Sequence, residues 1–165
     1  MKKVLILFLI LAPMSLFAQK FGYVNAPEIA QQMPEFTKAQ NELQTLQTQY
    51  ADEFERLRTE LEKKGVAFEQ VKDSLPANIL KRREAELQEL YAKMQQYYQT
   101  SQQELQQASQ EKMTSLTEKI TKAIKEVGVA GGYLYIFDTA SGIPYISETL
   151  STDVTAQVKA KLGIQ

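Results

Sequence analysis

The residues with the clearest potential for chemistry in this sequence are two carboxylates, Asp138 and Glu148, which lie close to a run of aromatic and β-branched residues. A pair of carboxylates can act as general acid and general base when the fold holds the two groups at a fixed separation. Nothing in the sequence sets that separation, and carboxylates in exposed loops are far commoner than catalytic pairs. We therefore predict that the protein is not an enzyme.

The chain of 165 residues lacks the side chains on which much other site chemistry depends. It contains no Cys and no His, which excludes a thiol nucleophile, a disulfide framework, a zinc finger and an imidazole group. It also has no glycine-rich loop with the spacing that cradles phosphates. The sequence therefore predicts no cofactor and no metal. Its net charge of -1 argues against a nucleic-acid-binding protein, which normally carries a strong basic excess.

One basic cluster stands out, formed by the consecutive residues Lys81, Arg82 and Arg83. Clustered cations attract anionic groups, so these three side chains are candidate contacts for membrane lipids or an anionic partner. The alternative is a solvated helix surface, because segment 36–127 carries charges of both signs along its length.

The amino terminus, residues 1–18, has the layout of a secretory signal peptide. Two lysines precede an apolar run from Val4 to Leu11, and the stretch ends in the small residue Ala18. The apolar run is shorter than the roughly 20 residues that a membrane-spanning helix needs, which disfavours the alternative of an uncleaved anchor. We expect cleavage after Ala18 and a protein that works outside the cytoplasm.

Segment 36–127 predicts a long antiparallel helical hairpin. It is crowded with Gln, Glu, Leu, Lys and Ala, which favour helices, and it contains one glycine and one proline. Its apolar residues recur at steps of three and four, as a coiled-coil seam requires. Pro76 cannot continue a helix, so the hairpin should turn near residues 74–78, with Ser74 or Asp73 capping the second helix.

The two flanking segments, 19–35 and 128–165, predict a small base that contains β-strands. Glycines from Gly128 onward should break the second helix of the hairpin. Both segments contain aromatic and β-branched runs that are typical of strands. These runs lie at residues 21–25, 133–138 and 143–146. The run at 133–138 reads as a buried strand.

Two short helices complete the predicted base. Asn25 should cap the first, which carries Pro27 in its first turn, and Asp153 should cap the last. A sheet this small has little core of its own, so we expect oligomerisation through its apolar surface. The predicted fold class is α+β, mostly α, in which a long helical hairpin projects from a small sheet that assembles with other copies.

The predicted features follow one another in a definite order. They are a signal peptide, a strand ending in Tyr23-Val24-Asn25, a Gln/Glu-rich hairpin, the run from Tyr133 and a final helix from Asp153. This order resembles the Skp (OmpH-like) family of periplasmic chaperones over the whole chain after residue 18. The resemblance implies a periplasmic homotrimer, with a base built from three chains and three coiled-coil tentacles around a cavity. It also implies an ATP-independent holdase that keeps unfolded outer-membrane proteins from aggregating.

The same resemblance implies roles for apolar residues. The resemblance places four of them in the core of the base or in the trimer contact, namely Val24, Leu134, Ile136 and Ile146. On the hairpin it places the residues that would partly line the client cavity, namely Phe54, Leu61, Phe68, Leu80, Leu87 and Met94. For each residue of the hairpin set, the alternative is the seam between the two helices. Familiar members of the family are strongly basic, whereas this chain is slightly acidic, so attraction to anionic clients is expected only at the cluster of Lys81, Arg82 and Arg83.

A holdase needs many weak, adaptable contacts, and the methionines and tyrosines along the hairpin can supply them. Gly65 and the four-residue steps through Tyr50 and Phe54 are candidate hinges, because such steps locally unwind a coiled coil. The alternative function is a structural or adaptor coiled coil of the cell envelope that binds one folded partner.

Overall fold

A computed structural model describes residues 19–164 of the chain. Its elements are, in order, β1 (Lys20–Val24), α1 (Ala26–Gln32), α2 (Pro34–Val71), α3 (Ala77–Gly131), β2 (Tyr133–Asp138), β3 (Ser151–Asp153) and α4 (Thr155–Lys161). Long helices with one small sheet confirm the predicted α+β, mostly α, fold class, and its assembly with other copies stays a prediction. The predicted signal peptide and its cleavage site lie outside the described residues.

The chain divides into two compact units. The first, which we call the base, combines residues 19–33 with 118–164, and the second, which we call the arm, comprises Pro34–Thr117. Helix α3 contributes to both units. Within residues 19–164, no helix combines the length and the apolar character needed to cross a bilayer.

The base contains a three-stranded parallel sheet in the order β2-β1-β3. Strand β1 pairs with β2 so that Gly22 lies beside Ile136, and with β3 so that Tyr23 lies beside Asp153. The strands predicted at residues 21–25 and 133–138 are therefore confirmed, the first one residue earlier. The amino-terminal strand lies at the centre of the sheet, between two strands from the carboxyl-terminal part of the chain.

The core of the base is formed by apolar side chains from β1, α1, α4 and the residues that border these helices. Each of the core residues is almost completely buried: Val24, Ile29, Met33, Val154 and Val158. Complete burial of side chains of this size contributes about 1.5–3 kcal/mol apiece.

Polar side chains fix the ends of the short helices in the base. The side-chain oxygen of Asn25 accepts the N–H of Glu28 at 3.1 Å, which confirms the predicted cap of α1. The backbone N–H of Asn25 donates to Thr155 Oγ1 at 3.1 Å, and Asp153 Oδ1 accepts the N–H of Thr155 at 2.8 Å. These bonds connect the start of α1 to the start of α4.

The prediction of a strand at residues 143–146 is wrong, and the third strand lies at Ser151–Asp153. Pro144 lacks the N–H that a sheet ladder uses. Instead, the segment folds into a local turn in which Ser151 donates its N–H to the carbonyl of Ser147 at 3.0 Å. The turn directs the chain into β3, whose polar sequence Ser-Thr-Asp carries no apolar pattern.

The glycines predicted to break the second helix end it later than Gly128, because α3 continues to Gly131. A glycine inside a helix costs only about 1 kcal/mol relative to alanine. A Cβ on Gly128 would lie 3.4 Å from Ile136 Cδ1, which is an ordinary van der Waals contact. The helix is followed by Gly132, whose φ of 65° lies in the left-handed region that glycine tolerates.

The arm is an antiparallel hairpin of α2 and the first part of α3. Glu42 pairs with Lys112, and farther along α2 the Tyr50 hydroxyl donates to Glu104. The residue number of the partner on α3 falls as the residue number on α2 rises. The two helices are therefore antiparallel, as the sequence predicts.

The turn of the hairpin follows Val71 and precedes Ala77. The prediction that Ser74 or Asp73 caps the second helix is wrong, because α3 begins at Ala77 and neither residue adjoins its start. The Ser74 hydroxyl donates to the carbonyl of Val71 at 2.8 Å and so completes the end of α2. The carbonyl of Pro76 instead accepts the N–H groups of Ile79 and Leu80, both at 2.9 Å.

Candidate functional site

Asp138 has a capping role at the end of β2. Its Oδ1 accepts the N–H of Ala26 at 3.3 Å and the N–H of Ala140 at 3.0 Å. It therefore joins the start of α1 to the turn after β2. Glu148 lies exposed in the segment before β3. Among the described residues, no three acidic side chains form a group that could hold a metal ion.

The sheet face opposite the core is aromatic. Because successive strand residues point to opposite faces, Phe21 and Tyr23 lie on the side away from Val24, and the register places Tyr135 and Phe137 beside them. The ring centroids of Phe21 and Tyr135 are 6.3 Å apart, and those of Tyr135 and Phe137 are 5.9 Å apart. The strand predicted to be buried is thus largely exposed in the single chain, with Tyr135 at 57%.

The segment before β3 enlarges this aromatic face. Tyr145 and Leu150 are 77% and 80% exposed. Ile143 and Ile146 line an open cavity of about 290 Å³ together with Phe137. A contiguous exposed apolar surface in a small unit is typical of an interface with another protein or another copy. We call these aromatic and apolar residues, from β1, β2 and residues 143–150, the aromatic face.

The four base residues named from the sequence occupy different environments. Val24 is completely buried and belongs to the core of one chain. Ile136 is half-buried against Gly22, whereas Leu134 is 52% exposed. Ile146 lies in the cavity beside the aromatic face. The sequence reasoning missed the exposed Tyr135, Phe137, Tyr145 and Leu150, although the alternation along β2 was a signal for the first two.

The six arm residues predicted to contact clients are all half-buried. Phe54 packs against Tyr98 with ring centroids 5.6 Å apart. Phe68 and Leu87 line an open cavity of about 270 Å³ near the turn. The others are Leu61, Leu80 and Met94. Partial exposure means that each side chain contributes to the seam and still offers apolar surface.

An aromatic cluster occupies the middle of the arm. The Tyr50 and Tyr97 rings meet edge to face at 6.2 Å, and Phe54 contacts Tyr98 alongside. The hydrogen bond to Glu104 raises the pKa of Tyr50 to about 12, because ionisation would remove the donated proton beside a carboxylate. Partial burial also raises the pKa of Tyr97.

The basic cluster near the turn carries its own counter-charge. Arg82 Nε lies 3.7 Å from Glu86 Oε1, and Arg83 Nη1 lies 3.4 Å from Glu86 Oε2. The pairs are exposed, and such pairs contribute at most about 1 kcal/mol each. The surface near the turn therefore carries less net positive charge than Lys81, Arg82 and Arg83 alone would give it. Contact between this cluster and lipid stays a prediction.

One comparison with known proteins identifies a family for this chain. A family model described as outer membrane protein (OmpH-like) matches residues 20–162. Among solved structures, a proposed outer membrane chaperone (OmpH-like) from Caulobacter crescentus CB15 aligns with a TM-score of 0.73 and 20% sequence identity, over 86% of this chain and 82% of that chain. At this identity, the likeness establishes the fold alone. The comparison with curated proteins finds no match.

Proposed function

Because the chain belongs to the OmpH-like family, we propose that it is a periplasmic holdase chaperone for unfolded outer-membrane proteins. The match to the family over residues 20–162 is the observation that carries the proposal. The similar fold of the Caulobacter protein, itself described as a proposed outer membrane chaperone, supports it. In this proposal the protein binds clients without ATP and prevents their aggregation.

The arm is proposed to supply the client contacts. Its six apolar residues are half-buried, so each keeps exposed surface with which it can exchange contacts with the neighbouring helix for contacts with a client. Exposed tyrosines such as Tyr91 and Tyr98 add amphipathic surface. Many weak contacts of this kind suit clients that share no single sequence.

The base is proposed to form a homotrimer through the aromatic face, so that three arms enclose the client. The exposed rings of Tyr135 and Phe137 and the side chain of Leu150 support this assignment, because their burial between copies would remove a large apolar surface from water. Ile146 would lie in or beside this contact, whereas Leu134 and Ile136, which lie on the same face of the sheet as Val24, would belong with Val24 to each chain's own base.

The chaperone activity is tested by diluting a urea-denatured outer-membrane β-barrel protein into buffer and following turbidity. We expect the protein to suppress aggregation at sub-stoichiometric amounts of trimer. The absence of protection at about a threefold molar excess of trimer would contradict the proposal. A native pull-down adds the test of the alternative, because a single folded partner in stoichiometric amount would favour the adaptor function.

The assembly is tested by light scattering on the wild type and on two matched variants. We expect a trimer mass for the wild type, a monomer for Tyr135→Asp and an unchanged trimer for Tyr91→Asp, whose side chain is 52% exposed in the arm. A monomeric wild type at micromolar concentration would overturn the trimer. A trimeric Tyr135→Asp variant would show that the interface lies elsewhere.

A further inference from the structure

An open groove of about 720 Å³ lies between α2 and α3 in the part of the arm away from the turn. Leu46 and Ala108 give it an apolar floor. One wall is a row of polar residues on α2 that recur every four positions: Thr37, Asn41, Thr45 and Gln49. Residues four apart lie on the same side of a helix, so the row is continuous along the groove.

The polar row offers hydrogen-bonding groups that the chain itself leaves available. The Thr45 hydroxyl donates to the carbonyl of Asn41 at 2.8 Å, so its oxygen can still accept. The side chains of Asn41 and Gln49 are exposed, and neither forms a hydrogen bond within residues 19–164. Each amide presents both a donor and an acceptor. The row can therefore bond to a ligand that has donors and acceptors in alternation.

The length of the row matches a short stretch of extended chain. From Thr37 to Gln49 the helix rises by about 18 Å, which equals about five residues of extended backbone. An extended chain has unpaired N–H and C=O groups along its length, whereas a helix has already paired its own. The row therefore complements an extended polypeptide better than it complements a helix.

The charged residues that line the groove pair with one another, which disfavours a strongly ionic ligand. Residues 43–51 of α2 carry no charged side chain, and in the stretch 94–110 of α3 the sole charge, Glu104, accepts the hydrogen bond of Tyr50. Three charged residues line the groove midway along its α2 wall, where Glu42 pairs with Lys112 and lies 3.9 Å from Lys38. Binding to such a site should depend little on the charge of the client.

We propose that this groove binds an extended segment of an unfolded polypeptide through its backbone, an inference that rests on the proposed function. The amides of Asn41 and Gln49 and the hydroxyl of Thr45 bond to the peptide groups of the segment. The small side chain of Ala108 keeps the floor open for one client side chain beside Leu46. The arm thereby recognises the unfolded state itself, because a folded client has no free backbone to offer.

The first experiment measures fluorescence anisotropy of a labelled, uncharged, unstructured peptide of about eight residues with the full chain. We expect saturable binding that changes by less than about twofold between roughly 50 and 500 mM salt. The matched probe is the same peptide with alternate backbone nitrogens methylated, which lacks those donors, and we expect it to bind at least about tenfold more weakly. Equal binding of the two peptides, or a steep salt dependence, would overturn the inference.

The second experiment compares the variant Ala108→Leu, which fills the groove, with Ala92→Leu at an exposed position of the same helix. We expect a loss of peptide affinity of at least about tenfold for the first and none for the second. The double variant Asn41→Ala/Gln49→Ala gives the same loss without added bulk, should Ala108→Leu disturb folding. A changed oligomeric mass in either groove variant would assign the groove to a contact between copies and overturn the inference.

The aggregation assay separates this inference from the proposed function. A wild type that protects clients, together with an Ala108→Leu variant that binds peptide and protects equally well, would refute the groove and leave the chaperone function intact. A wild type that gives no protection refutes the chaperone function, whatever the groove binds.

Discussion

The base and the arm hold together in different ways. In the base, hydrogen bonds join residues far apart in the chain, as between Asn25 and Thr155, and several large side chains are completely buried. In the arm, most ion pairs join residues three or four positions apart on one helix, and Leu57 is the one large apolar residue of α2 that is almost completely buried. The base therefore depends on long-range fit, and the arm on local helix formation with a thin seam.

This difference determines which surface each unit leaves open. The base has a complete core on one side of its sheet and an aromatic surface on the other, which suits a permanent contact. The arm spreads half-buried apolar residues over a long hairpin and leaves polar side chains such as Asn41 and Gln49 without partners in residues 19–164. That arrangement suits contacts that form and break.

The largest effect should come from the core of the base. Ile29→Ala removes a completely buried side chain, and we expect a loss of about 3 kcal/mol in the free energy of unfolding, since the packed surroundings cannot collapse into the space. Urea denaturation followed by circular dichroism measures it. The control is Val66→Ala, at a side chain 55% exposed in the arm, which should change stability by less than about 0.5 kcal/mol.

A smaller effect should follow from the matched change in the arm. Leu57 is 1% exposed, but it lies in a two-helix seam that can close around a cavity, so Leu57→Ala should cost about 2 kcal/mol. Hydrogen exchange should show faster exchange in α2 and α3, with unchanged protection of β1. Equal loss of protection in β1 would mean that the two units unfold as one.

Two glycines should respond in opposite directions to the same substitution. A Cβ on Gly131 in the base would overlap the Tyr133 ring, so Gly131→Ala should destabilise by about 1–2 kcal/mol. A Cβ on Gly65 in the arm meets no atom within 4 Å, so Gly65→Ala should stabilise by up to about 1 kcal/mol. Thermal melting of both variants measures the signs, and a destabilising Gly65→Ala would argue for a bend at that residue.

The cap of α1 should contribute about 1 kcal/mol. Asn25→Ala removes the acceptor of the Glu28 N–H, and the expected loss is visible in urea denaturation. The matched control is Asn78→Ala in the first turn of α3, where the side chain makes no hydrogen bond within the described residues. Equal effects of the two changes would show that the Asn25 cap adds nothing beyond helix propensity.

The smallest effect concerns the pH dependence of the arm. Because the pKa of Tyr50 is raised from 10.0 to about 12 in the folded arm, its contribution to stability is complete below pH 10.0 and is lost as the pH rises through about 12. Ultraviolet titration of tyrosinate should show one late transition that is absent in Tyr50→Phe. Glu104→Gln should move that transition to lower pH, and an unmoved transition would assign the shift to another cause.

The sequence predicts most elements and few of the surfaces. The steps of three and four along α2 and α3, Pro76 at the turn and the Asn25 cap are local signals, and each matches the structure. Strand β3 was not predictable in this way, because its polar residues form a strand only by pairing beside β1. The sequence instead predicted the third strand at residues 143–146, an apolar run that includes Pro144.

The candidate surfaces depend on which residues meet, and that information is not local. The aromatic face needs the register of Phe21 beside Tyr135, and the groove needs Ala108 opposite Leu46. A periodic pattern predicts neither of these contacts, because each residue by itself fits the pattern of an ordinary core residue.

The central position of β1 has a consequence for the time course of folding. This strand begins at Lys20, yet its partners β2 and β3 begin at Tyr133 and Ser151. During synthesis from the amino terminus, β1 must stay unpaired until the last part of the chain arrives, whereas both helices of the arm can form from local contacts before then. The first strand to be synthesised is therefore among the last to be paired. A chain truncated before Tyr133 contains the arm but lacks both partners of β1, so it cannot form the sheet.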